Sequence, residues 1–284
     1  MMSGLQTDIL KSRNGILINR SFEAFVRRNG LDDFDRVMSL RGEIVKRAVP
    51  ERMTIRCPLP DDEDASEIYI KRSYPLRAGR FFLRLLKLAP PETACDEFQS
   101  IIAFREAGLP TMVPIAAGKR RRGLLQAESF LITRGLTGCT RLDEFFSQSG
   151  DIGRKRKRTL IRKTALLVKK MHECGFNHRD LYLCHLLMSP AEELFVVDLH
   201  RVDRRRRVPV RWIIKDLAAL EYSAPGTVIS RADRARFFRI YCGAGRLGAG
   251  QKQFARKVLN KTQKMIQHNT KKERSGKNPC ETAF

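Results

Sequence analysis

The chain has 284 residues, 42% of them hydrophobic, enough for a sizeable core in one large domain or in two lobes. Its formal net charge of +24 implies attraction to polyanions, whether nucleic acid, acidic lipid surfaces or a phosphorylated glycolipid. No run of 18 apolar residues occurs, the start Met1–Asp8 has neither region of a secretory signal, and seven scattered cysteines fit reduced thiols, so a membrane span, secretion and a disulfide framework are not expected.

Residues 1–40 carry no assigned chemistry, although Ser21–Val26 and Asp32–Met38 are candidate helices. From Gly42 to Tyr74 the pattern predicts three strands, at Glu43–Arg47, Met53–Arg56 and Glu67–Arg72, with the acidic loop Asp61–Asp64 before the last. On that last strand Tyr69 and Lys71 share one face, opposite Ile68 and Ile70. No G-x-G-x-x-G precedes Lys71. Pro90-Pro91-Glu92-Thr93 opens a helix, with Thr93 as N-cap. Ala94, Phe98, Ile101, Ile102 and Arg105 recur at helical spacing until Gly108-Leu109-Pro110. Glu97 and Glu106 are the acids this helix offers to Lys71.

Two more strands follow, Pro114–Gly118 and Ser129–Thr133, separated by the basic turn Lys119–Gly123. The glycine-rich Arg134–Gly138 reads as a hinge. A short helix is expected at Leu142–Phe146. A longer one carries the apolar stripe Leu160, Ile161, Thr164, Ala165, Leu167, Val168 and Met171. Its opposite face bears Arg154 to Arg158, Arg162, Lys163, Lys169 and Lys170, a basic surface suited to lipid phosphates.

Gly175 to Arg201 holds the chemistry. Leu186–Met188 and Leu194–Val197 are apolar runs split by Ser189-Pro190-Ala191-Glu192-Glu193, the pattern of a hairpin. A hairpin brings its ends together, so Asp180 before it and Asp198 after it are expected to be neighbours. Two carboxylates with different surroundings take different roles. Asp180 reads as the group that orients a hydroxyl and Asp198 as a Mg²⁺ ligand, the division that phosphoryl transfer needs. His178-Arg179-Asp180 matches H-R-D, but the position five residues on is His185 rather than Asn, and the D-F-G position reads Asp198-Leu199-His200. His172, Cys174, His178, Cys184 and His185 fit no standard zinc spacing, so zinc is not expected.

With Lys215-Asp216-Leu217-Ala218-Ala219-Leu220 and Tyr222-Ser223 added, these motifs resemble the bacterial lipopolysaccharide core kinases, the Kdo/heptose kinase family, from about Gly42 to about Tyr241. The resemblance implies an α+β, two-lobed protein-kinase-like fold. Its N-lobe would be an antiparallel sheet plus one helix, over 41–136, and its C-lobe mainly helical, over 137–250. Residues 1–40 would be an N-terminal extension and 251–284 a basic tail, with Thr270–Phe284 disordered. It implies ATP as phosphoryl donor, Mg²⁺ as cofactor and a sugar hydroxyl of the lipopolysaccharide inner core as acceptor. Catalysis would fall to Asp180, and nucleotide binding to Lys71, Glu97 and Asp198. Metal binding would fall to Asp198 and His185. Histidine is a softer Mg²⁺ ligand than a carboxamide oxygen. A bond from His185 to Asp180 or to a phosphate is therefore the competing role. His178 is read as shaping the loop, and Asp216 as bonding its backbone.

The 18 positions from Asp198 to Asp216, with no A-P-E, leave little room for a peptide platform and favour a non-peptide acceptor. Arg204–Arg207 is read as a contact for acceptor phosphates or membrane, or as a solvated basic run. The expected partners are the lipopolysaccharide core or another anionic glycolipid and an anionic membrane surface. No nucleic acid is expected. The expected location is the cytoplasm, at the inner face of the bacterial cytoplasmic membrane. Other readings are a kinase for a different small molecule or for protein, a pseudokinase scaffold, and, on charge alone, a nucleic-acid-binding module.

Overall fold

Strand alternation places the first functional side chain. Along Glu67–Ser73 the even positions Ile68, Ile70 and Arg72 are buried and the odd ones are half-buried, so Lys71 leaves the sheet on the face away from the core. Arg72, on the core side, donates from Nη2 to the Leu40 carbonyl at 2.7 Å. The computed structural model describes residues 9–11, 15–49, 51–59, 67–75, 94–122, 127–148 and 152–274. The acidic loop Asp61–Asp64 and the proposed N-cap Thr93 lie outside them.

The chain divides into two compact units between Thr137 and Gly138, inside the stretch read as a hinge. The N-terminal unit is built on a seven-stranded sheet with every neighbouring pair antiparallel. Its strands are β1 (Ile9–Lys11), β2 (Leu17–Asn19), β3 (Glu43–Val49), β4 (Arg52–Pro58), β5 (Glu67–Ser73), β6 (Pro114–Arg121) and β7 (Ala127–Arg134), in the order β1-β2-β6-β7-β5-β4-β3. Residues 9–39 supply two of the strands and two short helices, α1 (Glu23–Arg28) and α2 (Phe34–Ser39). Both help cover one sheet face: Phe22, Phe25, Val26, Leu31 and Val37 are buried with Ile55, Ile68, Ile70, Phe130 and Ile132. The predicted helix is α3 (Ala94–Glu106), with Phe98, Ile101, Ile102 and Phe104 buried.

The C-terminal unit is mainly helical, with α4 (Leu142–Gln148), α5 (Arg154–Glu173), α6 (Val210–Ser223), α7 (Arg231–Tyr241) and α8 (Ala249–Arg274). Its strands are short. The hairpin β10 (Leu186–Met188) and β11 (Leu194–Val196) is extended by β8 (Thr140–Arg141), and β9 (Phe176–Asn177) pairs with β12 (Asp203–Arg204). The apolar stripe of α5 is core: Leu160, Ile161, Ala165, Val168 and Met171 are buried. Its basic face is partly committed within the unit. Lys157 donates to the Val228 carbonyl, Lys163 to the Glu192 carbonyl, and Arg156 pairs with the Glu192 carboxylate. The capping box of Ser230 and Asp233 starts α7.

Disorder from Thr270 onward does not hold for its first residues, because α8 runs to Arg274. Buried Val258 and Thr262 face α6, where the Thr262 hydroxyl reaches the Ala218 carbonyl at 3.3 Å. Asn269 donates to the Tyr222 hydroxyl at 2.8 Å. These contacts carry the helix past the point where composition alone stops supporting it.

Gly175 ends α5 with φ of +86° and bonds Arg205 through its carbonyl at 2.9 Å, which aligns β9 with β12. A methyl group there would be driven into the Arg205 carbonyl oxygen. Gly175→Ala combines left-handed strain with a backbone clash, together about 2–5 kcal/mol. A fall of about 10 °C in melting temperature is expected by calorimetry, and an unchanged melting point would contradict it.

Candidate active site

In the N-terminal unit, Lys71 Nζ meets both carboxylate oxygens of Glu97, at 3.1 and 2.9 Å. Glu97 is 4% exposed on α3, whereas Glu106 is exposed at the helix end, so the partner of Lys71 is Glu97. A buried carboxylate without its ammonium would be costly, so the pair fixes the lysine head in one place.

In the C-terminal unit the loop after β9 is built around a buried acid. Asp216 on α6 is fully buried and accepts the backbone N–H groups of His178 and Arg179, each at 2.7 Å. His172 Nε2 lies 3.3 Å from the same carboxylate, and its Nδ1 lies 2.8 Å from the Tyr241 hydroxyl. The Asp216 carboxylate only accepts, so Nε2 is the His172 donor to it, and in the neutral ring Nδ1 then accepts from the Tyr241 hydroxyl. Burial pushes the Tyr241 phenol well above its ordinary range and keeps that proton on it. Arg179 is held at φ +70° between two bonded neighbours. Its guanidinium pairs with Asp203 at 3.1 Å and lies over the Trp212 ring at 4.9 Å.

Asp180 follows this strained residue. Its backbone carbonyl accepts from His185 Nδ1 at 2.7 Å. A carbonyl only accepts, so Nδ1 carries a proton, and in the neutral ring Nε2 is the nitrogen with the lone pair. Nε2 lies 3.6 Å from Asp198 Oδ2, and Asp198 Oδ1 is 2.7 Å from His200 Nδ1. Asp198 itself has φ of +63°, which turns its side chain at the start of the helical turn Leu199–Arg201. His178 stacks on His185 at 5.7 Å and reaches the Val197 carbonyl at 3.0 Å. Thus one imidazole, His185, touches both the residue of the H-R-D aspartate and the acid after the hairpin. Arg201 Nη1 bridges the two Asp180 oxygens at 3.1 and 2.8 Å, and Lys215 Nζ lies 3.9 Å from one of them.

The chain is similar to known proteins. The family model described as "Lipopolysaccharide kinase (Kdo/WaaP) family" matches residues 37–241. The chain belongs to the lipopolysaccharide kinase (Kdo/WaaP) family. Family membership makes it an ATP-using phosphotransferase whose acceptor is a sugar hydroxyl. Among relatives of the Kdo/WaaP family, the lipopolysaccharide core heptose(I) kinase WaaP of Escherichia coli is 33% identical over 225 residues, 76% of this chain and 83% of that protein. The WaaP of Pseudomonas aeruginosa is 35% identical over 227 residues, 75% of this chain and 81% of that protein. The 3-deoxy-D-manno-octulosonic acid kinase of Vibrio vulnificus strain YJ016 is 27% identical over 105 residues, 37% of this chain and 42% of that protein. A solved structure of WaaP in complex with acyl carrier protein is 31% identical, covers 84% of this chain and 96% of its own, and superposes with a TM-score of 0.65.

Sequence reasoning left several contacts unfound. Arg201 on Asp180, Asp203 on Arg179 and Tyr241 on His172 are all pairings of side chains distant in sequence. His200 stood out as the residue replacing glycine in D-F-G, and that departure was its only signal. A divalent cation fits the donors present in one respect. The His185 lone pair and Asp198 Oδ2 are near enough to share a cation, and Mg²⁺ takes few protein ligands when phosphates supply the rest. Among the described residues no cluster of three or more His, Cys, Asp or Glu forms a protein-only metal site.

Proposed function

We propose that this chain phosphorylates a heptose hydroxyl of the lipopolysaccharide inner core, with Asp180 as the base. The observation that carries the choice of heptose is the reach of the likeness. Similarity to heptose(I) kinases spans about three quarters of the chain, 76% and 75%, against 37% for the 3-deoxy-D-manno-octulosonic acid kinase. Lys71, steadied by Glu97, grips the nucleotide phosphates. Asp198 and His185 would hold Mg²⁺, which when bound neutralises phosphate charge. His200 orients the Asp198 carboxylate through the other oxygen. Asp180 orients the acceptor hydroxyl and takes its proton as the phosphoryl group arrives.

The acceptor is a membrane lipid, so the enzyme works peripherally at the inner face of the cytoplasmic membrane. No described helix is long and apolar enough to cross it. Arg154, Lys155, Arg158 and Arg162 are exposed on α5 and suit anionic headgroups.

The test supplies γ-labelled ATP, Mg²⁺ and inner-core lipopolysaccharide lacking phosphate. Label is expected on heptose. Lys71→Met is expected to raise the KM for ATP at least tenfold. Label confined to the 3-deoxy-D-manno-octulosonic acid residue would move the chain to the other branch of the family, and no transfer to either sugar would refute the acceptor.

A further inference from the structure

Two cations converge on one carboxylate. Arg201 bridges both Asp180 oxygens, and Lys215 stands 3.9 Å away. Neither belongs to the catalytic loop. Arg201 ends the helical turn that follows Asp198, and Lys215 sits on α6 directly before Asp216. Asp216 ties α6 to the loop backbone, which fixes Lys215 beside the base. Its ammonium also lies 5.6 Å from the centre of the Trp212 ring.

The balance of charge is unusual. Arg179, the other nearby guanidinium, is already paired with Asp203. At Asp180 two cations therefore face one anion. Burial draws Lys215 below the usual lysine range, with Asp180 opposing the shift. Such an ammonium is poorly hydrated and attracts an arriving anion more strongly than a solvated one. Arg201 is different: its side chain is 42% exposed and has room to turn. While it bridges both oxygens it competes with the hydroxyl that Asp180 must accept.

We propose that Arg201 and Lys215 form an oxyanion site on the Asp180 carboxylate that receives the phosphoryl group in flight. The inference rests on Asp180 being the base. The sugar oxygen bonds to the γ-phosphorus, the bond from that phosphorus to the bridging oxygen breaks, and ADP leaves with that electron pair. The hydroxyl proton passes to Asp180. The equatorial phosphoryl oxygens draw Arg201 off the carboxylate, which uncovers the oxygen that takes the proton. Lys215 stays in place and neutralises the charge spread over those oxygens. The same oxyanion chemistry is offered by an acidic group already on the acceptor sugar, and the experiment separates the two.

Arg201→Met, Lys215→Met and the double variant are compared with Asp180→Asn in the full chain. The readouts are kcat, acceptor KM, affinity for Mg²⁺–ADP, and affinity for Mg²⁺–ADP with aluminium fluoride, a planar mimic of the moving phosphoryl. Each single variant is expected to lower kcat about 100-fold, the usual cost of one lost oxyanion donor. The fluoride complex should weaken about as much, while Mg²⁺–ADP affinity and acceptor KM stay within twofold. Arg201→Lys and Lys215→Arg, which keep the charge, should recover most of the loss, which a folding defect would not explain. A tenfold rise in acceptor KM with kcat and fluoride affinity retained assigns the oxyanion site to an acidic group on the acceptor. Native values throughout in the double variant, with Asp180→Asn inactive, overturn the oxyanion site alone. An active Asp180→Asn overturns the base itself, and this proposal with it.

Discussion

Asp180→Asn is expected to lower kcat about 1,000-fold, with nucleotide affinity and melting temperature close to native. The size follows from the step that is lost. A positioned general base contributes roughly 10²–10⁴-fold, and about 1,000-fold corresponds to about 4 kcal/mol of barrier. An amide at this position still fits the space but cannot take the hydroxyl proton. The fold should tolerate the change, because the bond that anchors the residue comes from His185 to its backbone carbonyl, not to its side chain. The side chain loses its pairing with Arg201, which is 42% exposed, and a longer one with Lys215 at 3.9 Å, and surface pairs of this kind contribute about 0–1 kcal/mol. Nucleotide affinity is assigned to Lys71, Glu97 and Asp198, none of which the substitution touches. Initial rates with inner-core acceptor, ATP titration by calorimetry and a thermal melt check all three. An Asn variant within tenfold of native kcat would remove Asp180 as the base.

How far the sequence reaches depends on the range of the contact. The hairpin Leu186–Val196 is legible because two apolar runs and a turn signal lie within a dozen residues, and at its base His185 reaches the Asp180 carbonyl on one side and the Asp198 carboxylate on the other. Lys71 and Glu97 are legible because strand and helix periods fix which way each side chain leaves its backbone. The strands Ile9–Lys11 and Leu17–Asn19 are not, since three residues are too few to show a period. The second is placed by pairing with β6, a strand about 100 positions on, and the first by pairing with the second. His185 marks a different limit. Its identity departs from the expected Asn, but its role turns on which ring nitrogen donates, and that is decided by the Asp180 carbonyl beside it. The Arg201 bridge is likewise a matter of where a long flexible side chain ends, which no local pattern encodes.

Asp216→Ala is expected to do more damage than the loss of the catalytic carboxylate, because it removes both stability and activity. Asp216 is wholly buried, and its two oxygens take the N–H groups of His178 and Arg179 while His172 donates to one of them. Truncation strands two buried backbone donors at about 1–3 kcal/mol each. It also loosens a backbone conformation that those bonds help to hold. Arg179 sits at φ +70°, which costs a non-glycine residue about 1–3 kcal/mol. Once released, Arg179 relaxes out of the left-handed region and swings the next residue, Asp180, out of position. A destabilisation of about 3–5 kcal/mol is expected, with kcat lowered at least 100-fold even at temperatures where the variant is folded. Asp216→Asn distinguishes the two effects. Its oxygen can serve one backbone donor, but its amide points a second N–H at the other, so about half the stability loss should remain. Melting curves for both variants, with rates measured below each transition, test the account. A variant that is folded and fully active without the Asp216 carboxylate would show that the loop holds its shape by other means.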